Sequence, residues 1–200
     1  MNNATLARLR SPMTGEAFQR EFCSVKQTWV RDFLFGQQTR TRVRVKNDIP
    51  CLAPRASVLP KNRSAQFYYD FIAPASDFLN TPIELLQLLL TNRDWRSDFL
   101  QNLPIKAGDD ILEIGCGTGY NLASLPQNTN LVGLDFSFNM LEIARLVLED
   151  RQVQLVQGEA ERLPFADSSF DLVFVYGGLC HHTDWQVVKA EMKRVLRHGG

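Results

Sequence analysis

The pattern of hydrophobic and polar positions divides the chain into three regions. Over residues 1–60 the clearest pattern is a strict alternation at 39–45, which predicts a half-buried strand in a small antiparallel sheet. Residues 64–103 have broad apolar faces and a helix start at Thr81-Pro82, so they predict helices. Over residues 104–200 short apolar runs alternate with segments of helical period. The chain therefore predicts a β-rich appendage, a helical linker and a larger domain.

The third region has the pattern of an α/β domain. Its predicted strands are 111–115, 131–134, 153–157 and 170–176, and its predicted helices are 119–125, 137–148 and 184–197. Strands separated by helices of this length are joined by right-handed crossovers and lie parallel. The sequence thus predicts a doubly wound parallel sheet, in which ligands bind at the carboxyl ends of the strands.

The first of these strands ends in the loop Gly115-Cys116-Gly117-Thr118-Gly119. Glycine at alternate positions permits unusual backbone angles and lets a ligand approach the backbone itself. The helix that follows offers unpaired N–H groups to that ligand. The dinucleotide pattern Gly-x-Gly-x-x-Gly does not fit, because Tyr120 stands where its third glycine is required. A small side chain such as Cys116 fits this loop as a spacer.

With Glu113 in front of it, the loop reads Glu-x-Gly-x-Gly-x-Gly and resembles motif I of the class I S-adenosylmethionine-dependent methyltransferases. After the third predicted strand, residues 158–165 read Gly-Glu-Ala-Glu-Arg-Leu-Pro-Phe and resemble that family's Gly-Asp-Ala-Glu-x-Leu-Pro-Phe signature. The closest likeness is to the type 11 group, which modifies small molecules such as quinone precursors. The resemblance implies a Rossmann-like fold and S-adenosylmethionine as the cofactor.

The resemblance also implies a cofactor site at the strand ends. Asp135, twenty residues after Gly115, would accept hydrogen bonds from both ribose hydroxyls, and we expect it at the surface-facing end of its strand. Glu113 would reach the methionine portion of the cofactor, and Glu159 would accept from the adenine amino group. The expected cofactor-binding residues are Glu113, Gly115, Cys116, Gly117, Gly119, Asp135, Phe136, Met140, Glu159, Ala160 and Tyr176.

The chemistry of methyl transfer makes few demands on the protein, because the sulfonium donor is already activated. The loop after the fourth predicted strand carries Tyr176, His181 and His182 and would face the methyl group and its acceptor. Either histidine could act as a general base. A histidine pair in this loop is also common in the family without being catalytic, so no catalytic residue is assigned.

The helical linker carries a second resemblance. Residues 68–74, Tyr-Tyr-Asp-Phe-Ile-Ala-Pro, resemble the helix that lies over the cofactor pocket as a lid in small-molecule methyltransferases. A helix that only packs against the core is an equally good interpretation. Tyr69 is the residue whose substitution would separate the two.

The N-terminal region resembles the small zinc-ribbon-like domain that precedes some type 11 methyltransferases. The closing turn of that domain is retained in residues 47–50, Asn-Asp-Ile-Pro. Its Cys-Pro-x-Cys opening is replaced by residues 11–14, Ser-Pro-Met-Thr, so the first two metal ligands are absent. We therefore expect no metal and a domain held by hydrophobic packing.

The net charge of zero conceals two electrostatic regions. Residues 1–63 hold 12 Lys and Arg against 4 Asp and Glu, and the remainder of the chain carries the opposite excess. One face of the alternating strand carries four cations: Arg40, Arg42, Arg44 and Lys46. They could bind the phosphates of a nucleic acid, although such a row more often forms a solvated, aggregation-resistant edge.

Composition limits the other classes of protein to which the chain could belong. The chain is 44% hydrophobic, but no apolar run approaches the ~20 residues of a membrane span. The first twenty residues lack the apolar core of a secretory signal, so we expect a cytoplasmic location. The four cysteines are scattered, which favours neither a zinc site nor a disulfide framework.

The chain ends in Gly199-Gly200, in a segment that resembles the approach to the fifth of the family's seven strands. We expect the last three strands to be missing, which would leave the fourth strand open to a partner chain or a missing C-terminal half. The leading hypothesis is a methyltransferase acting on a small molecule. The alternatives are an RNA-directed methyltransferase and a non-catalytic cofactor-binding or scaffold protein.

Overall fold

The structure is a computed structural model that describes residues 3–25, 29–39, 42–53, 58–75, 94–177 and 184–200. The helices are α1 (Asn3–Arg8), α2 (Arg63–Ile72), α3 (Trp95–Gln101), α4 (Tyr120–Ser124), α5 (Phe138–Val147) and α6 (Trp185–Val195). The strands are β1 (Phe18–Val25), β2 (Trp29–Gly36), β3 (Arg42–Lys46), β4 (Ile49–Pro50), β5 (Asp110–Ile114), β6 (Asn130–Asp135), β7 (Val153–Gln157) and β8 (Leu172–Phe174).

The C-terminal half forms the predicted parallel sheet, in the order β7-β6-β5-β8. The chain moves outward from β5 to β6 and β7, and then crosses to the other side of β5 to form β8. The strand order therefore reverses at β5, and a crevice for a ligand is expected there, at the carboxyl ends of the strands. This architecture confirms the α/β prediction.

The fourth strand is shorter than the predicted 170–176. Phe170 leaves the ladder because its backbone pairs with the segment after α6: its N–H donates to the carbonyl of Val195, and its carbonyl accepts from Arg197. Within the described part of the chain β8 forms one end of the sheet. A partner for its outer edge stays a prediction.

The N-terminal half forms the predicted antiparallel sheet, in the order β1-β2-β3-β4. Arg42 and Arg44 are exposed whereas Val45 is buried, which confirms the alternation for the described part of that strand. Lys46, at the end of this cationic row, has partners on α5. Its ammonium lies 4.3 Å from the centre of the Phe138 ring and 3.7 Å from Oε2 of Glu142.

The two sheets share one hydrophobic core and are joined through their backbones. Leu9, Leu34 and Leu52 pack in the same cluster as residues of the parallel sheet. The N–H of Leu52 donates to the carbonyl of Gln157 at 3.0 Å, so the chain beyond β4 pairs with the edge strand β7. Segment 8–10 pairs through its backbone with segment 164–166, in the antiparallel direction. The antiparallel sheet therefore covers one edge of the parallel sheet.

The carboxylate of Glu16 ties together two turns of the N-terminal sheet. It accepts from the N–H groups of Gln38 at 2.8 Å and Thr39 at 2.9 Å, from the hydroxyl of Thr14 at 3.1 Å, and from the hydroxyl of Thr39. The hydroxyl of Ser11 accepts from the N–H of Thr14. Thr14 and Ser11 occupy the positions where the resemblance placed metal ligands. Hydrogen bonds to a buried carboxylate thus hold this end of the sheet, in addition to the expected hydrophobic packing.

Two kinds of feature are absent from the described residues. No group of three or more His, Cys, Asp or Glu side chains there is arranged to hold a metal ion. No helix in the same part of the chain is both long enough and apolar enough to cross a membrane.

We predict that Glu16→Gln lowers the melting temperature, because an amide cannot replace a carboxylate that accepts from two N–H groups and two hydroxyls. The hydroxyl of Thr39, followed by its N–H, lowers the pKa of Glu16 from 4.5 to about 2. The stabilisation is therefore present above pH 4.5 and is lost as the pH falls toward 2. Thermal unfolding of both proteins should show a difference at pH 7 that shrinks on acidification. The exposed Glu149→Gln change is the control, and a pH-independent difference would contradict the assignment.

Candidate functional site

The glycine loop after β5 has a left-handed backbone at each of its three glycines, with φ of 69° at Gly115, 51° at Gly117 and 83° at Gly119. A Cβ at Gly119 would lie 2.8 Å from Cδ1 of Leu148 and 3.2 Å from Cβ of Ala144, so close packing on α5 and the left-handed backbone both favour glycine there. A Cβ at Gly117 would meet nothing within 4 Å. The loop therefore turns an open backbone surface outward at Gly117.

Asp135 at the end of β6 binds this loop directly. Its Oδ2 accepts from the N–H of Gly117 at 2.9 Å, and its Oδ1 accepts from the N–H of Ser137 at 2.8 Å. The expectation of a surface-facing aspartate is wrong: Asp135 is only 5% exposed, because the loop folds over it. Each oxygen has two lone pairs, so acceptor capacity remains for a ligand.

Burial controls the protonation of Asp135. Desolvation raises its pKa from 3.8 to about 6, although the N–H groups of Ser137 and Gly117 act in the opposite direction. The negative charge of Asp70 adds to the increase. The carboxylate is thus ionised at neutral pH but takes up a proton in mild acid.

Glu113 inside β5 is fully buried. Its Oε1 accepts from Nδ2 of Asn121, on α4, at 2.6 Å, while its Oε2 has no hydrogen-bond partner in the described structure. Burial raises its pKa from 4.5 to about 8, and the charge of Asp135 contributes in the same direction. An unpaired buried carboxylate oxygen is costly and therefore rare. The ammonium group of a methionine moiety is a suitable partner for it.

Cys116 fills the space behind the glycine loop. Its Sγ leaves so little room that a Cβ at Gly133, on β6, would lie 2.9 Å from it. Burial, followed by the charges of Asp135 and Glu113, raises the pKa of the Cys116 thiol. A buried neutral thiol is a poor nucleophile, which supports the role of a spacer.

The turn after β7 lies beside Asp135, because the N–H of Gly158 donates to the Asp135 backbone carbonyl at 2.9 Å. The carboxylate of Glu159 is already held by the protein. It accepts from the N–H of Leu59 and from Nδ2 of Asn62, each at 3.0 Å, and from the guanidinium of Arg162. The assignment of Glu159 to the adenine amino group stays a prediction, as does the contact with the buried Ala160.

Helix α2 crosses the carboxyl end of β6. The Tyr69 ring meets the Phe136 ring edge to face at 5.6 Å, and Nε2 of Gln66 donates to the Phe136 carbonyl at 2.7 Å. Met140, one turn into α5, is buried nearby. The lid and packing interpretations of this helix both stay open, but the structure brings Tyr69 to the site.

The last predicted cofactor contact, Tyr176, follows β8. Its ring lies 5.1 Å from the ring of Phe99 on α3, and Phe99 also contacts Phe174. Phe174 pairs with Glu113, so Tyr176 leaves its strand at the same edge as the glycine loop. The two histidines considered as bases fall in segment 178–183, outside the described residues.

Sequence reasoning missed three residues that hold this edge together: Asn62, Gln66 and Asp70. Each is a polar residue of segment 62–70 that forms a hydrogen bond to the edge of the parallel sheet: Asn62 to Glu159, Gln66 to the Phe136 carbonyl and Asp70 to Ser137. Their spacing of four residues along the linker was the available signal, since it places them on one helical face.

Comparison with known proteins agrees with this geometry. Residues 112–200 match a family described as "Methyltransferase domain". Demethylmenaquinone methyltransferase of Oceanobacillus iheyensis is 39% identical over 116 residues, which are 54% of this chain and 49% of that protein. The enzyme of the same name from Staphylococcus saprophyticus is 32% identical over 145 residues, covering 70% and 60% respectively. The chain thus spans about half the length of the curated relatives it matches.

Two solved structures resemble the chain at 27% identity. One is a putative S-adenosylmethionine-dependent methyltransferase from Methanococcus maripaludis, with a TM-score of 0.50 over 68% of this chain and 60% of that one. The other is a complex between the Haloferax volcanii Trm112 methyltransferase activator and the putative methyltransferase, with a TM-score of 0.55 over 66% and 57%. Residues 112–200 therefore match a methyltransferase domain, and their α/β fold is the Rossmann-like fold of the class I S-adenosylmethionine-dependent methyltransferases.

Proposed function

We propose that this chain binds S-adenosylmethionine at the carboxyl edge of β5, β6 and β7 and transfers its methyl group to a small-molecule acceptor. The observation that carries this proposal is the hydrogen bond from the Gly117 N–H to Asp135. It places an open backbone surface and a buried acceptor side by side, which are the two features that an adenosyl group requires.

The residues present fit the cofactor at each of its parts. Asp135 retains acceptor positions for the ribose hydroxyls, and the Glu113 oxygen without a partner suits the methionine ammonium. Phe136 and Met140 offer apolar surface for the adenine ring. The cofactor supplies an activated methyl group when bound. The chain's own residues orient it and reduce the access of water, and α2 contributes to both because it crosses this edge.

The acceptor is proposed to be apolar and of the quinone-precursor type. The relatives that support this are named demethylmenaquinone methyltransferase. Helix α2 also exposes three aromatic side chains beside Tyr69: Phe67, Tyr68 and Phe71. An exposed aromatic surface on the helix that carries Tyr69 suits a flat apolar acceptor better than a phosphate-rich one. The RNA alternative is weakened because Lys46, one of the four expected cations, packs against Phe138.

We predict that Asp135→Ala lowers the affinity for S-adenosylhomocysteine by about 10-fold or more, since it removes charged hydrogen bonds to the ribose. It should also lower the melting temperature, because the N–H groups of Gly117 and Ser137 lose their acceptor. Isothermal titration calorimetry and thermal unfolding measure the two effects. The exposed Asp150→Ala change should alter neither, and equal affinity of wild type and Asp135→Ala would contradict the site.

We predict opposite effects of Glu113→Gln on stability and on binding. Because burial raises the pKa of Glu113 from 4.5 to about 8, the ionised form destabilises the fold, and the free energy of unfolding falls as pH rises through that window. The free energy of unfolding of Glu113→Gln should not decline in this way. The variant should also bind S-adenosylhomocysteine more weakly, since the ammonium group of the ligand loses its partner.

Two measurements check this prediction. Denaturant unfolding between pH 6 and pH 9 should show a flatter profile for Glu113→Gln than for wild type or for the Glu149→Gln control. Ligand binding to wild type near pH 7.5 should release protons, which appears as a dependence of the calorimetric enthalpy on the buffer. Absence of proton release, together with unchanged affinity of the variant, would place the ammonium elsewhere.

A further inference from the structure

A carboxylate outside the predicted cofactor set reaches this edge from α2. Oδ1 of Asp70 accepts from the hydroxyl of Ser137 at 2.6 Å, and the Asp70 backbone carbonyl accepts from Nδ2 of Asn139 at 2.8 Å. Both donors lie at the beginning of α5, immediately after β6. One residue of the linker therefore holds the segment that follows Asp135.

Ser137 connects Asp70 to Asp135. Its N–H donates to Oδ1 of Asp135 at 2.8 Å, and its hydroxyl accepts from the N–H of Met140 at 3.3 Å as the N-cap of α5. Asp135 in turn accepts from Gly117 through its other oxygen. The hydrogen bonds thus run without interruption from α2, through the start of α5, to the glycine loop.

The position of Ser137 depends on both of its partners. Ser137 is fully buried, so its hydroxyl has no water to replace a lost acceptor. While Asp70 accepts the hydroxyl proton, a lone pair of the oxygen stays directed at Met140 and the backbone at Ser137 is held. That backbone carries the N–H that orients the Asp135 carboxylate.

We propose that Asp70 is a positioning residue for Asp135: it fixes Ser137, and through Ser137 the carboxylate expected to bind ribose, and it places a negative charge beside that carboxylate. The binding of ribose in this proposal rests on the proposed function. The network itself does not, because it is formed by the described residues alone.

The negative charge of Asp70 has a predictable effect on the pKa of Asp135. The charged group that raises the pKa of Asp135 is Asp70 on α2, and Asp135 in turn raises the pKa of Glu113 on β5 and of Cys116 in the loop. Removing the charge of Asp70 should therefore lower the pKa of Asp135 and keep it ionised to lower pH. Since binding of ribose uses the ionised form, the acidic limit of ligand affinity should move in the same direction.

Two variants separate the hydrogen bond from the charge. The amide oxygen in Asp70→Asn can still accept from Ser137 but carries no charge, whereas Asp70→Ala removes both. The affinity for S-adenosylhomocysteine should be measured by calorimetry from pH 5 to pH 8. The pH at which half of this affinity is lost on acidification should be lower for Asp70→Asn than for wild type. Asp70→Ala should in addition lose about 3- to 10-fold in affinity at pH 8, the range of one hydrogen bond. Asp150→Asn is the matched control.

A ligand-free readout keeps this inference distinct from the proposed function. Carbon-13 NMR titration of the Asp135 side-chain carboxyl should give a midpoint near pH 6 in wild type, in accordance with its raised pKa, and a lower one in Asp70→Asn. An unchanged NMR midpoint overturns the positioning role, whether or not ligand binds. A shifted NMR midpoint in a protein that does not bind S-adenosylhomocysteine would leave the network intact and overturn the proposed function. If Asp70→Ala does not fold, Asp70→Asn alone decides.

Discussion

The hydrogen bond between the Gly117 N–H and the Asp135 carboxylate is the constraint on which this site depends. It exists because β5 and β6 pair in parallel with Ile114 opposite Leu134, so the residues that follow the two strands leave at the same edge. It also requires a left-handed backbone at Gly117, which residues with a side chain adopt only at a cost. Sheet register and glycine chemistry therefore produce one feature, an open loop fixed against a buried acid.

The buried acids at this edge oppose the stability of the fold. Burial raises the pKa of two carboxylates, Glu113 and Asp135, and the charge of Asp135 raises the pKa of Glu113 further. A core made only for stability would contain apolar groups at these positions, because desolvated charges without cationic partners weaken a fold. The local conflict marks the site, since groups that oppose folding persist where a ligand can use them.

The N-terminal half supports the site through its connections to the edge of the parallel sheet. Glu16 holds the turns of the first sheet, and the backbone beyond β4 pairs with Gln157 of β7. Asn62, just before α2, then donates to Glu159. Helix α2 continues along the same edge and reaches Ser137 through Asp70. Helix α2 of the linker is thus tied to the candidate site, and a change in its position would reach Asp135 through hydrogen bonds.

The sequence by itself determined the α/β class, the strand positions at 131–134 and 153–157, the alternation around Val45 and the glycine loop. These depend on periodicity and on backbone sterics, which act between residues close in the chain. Tertiary structure alone decided that Asp135 is buried, that Lys46 packs on Phe138 and that Asp70 meets Ser137. Such partners lie far apart in sequence, and nothing in a local pattern specifies which distant donor a carboxylate finds. Packing of the linker and the first sheet against the parallel sheet selects those partners, because a buried polar group must be paired by whatever lies nearest once the core is formed.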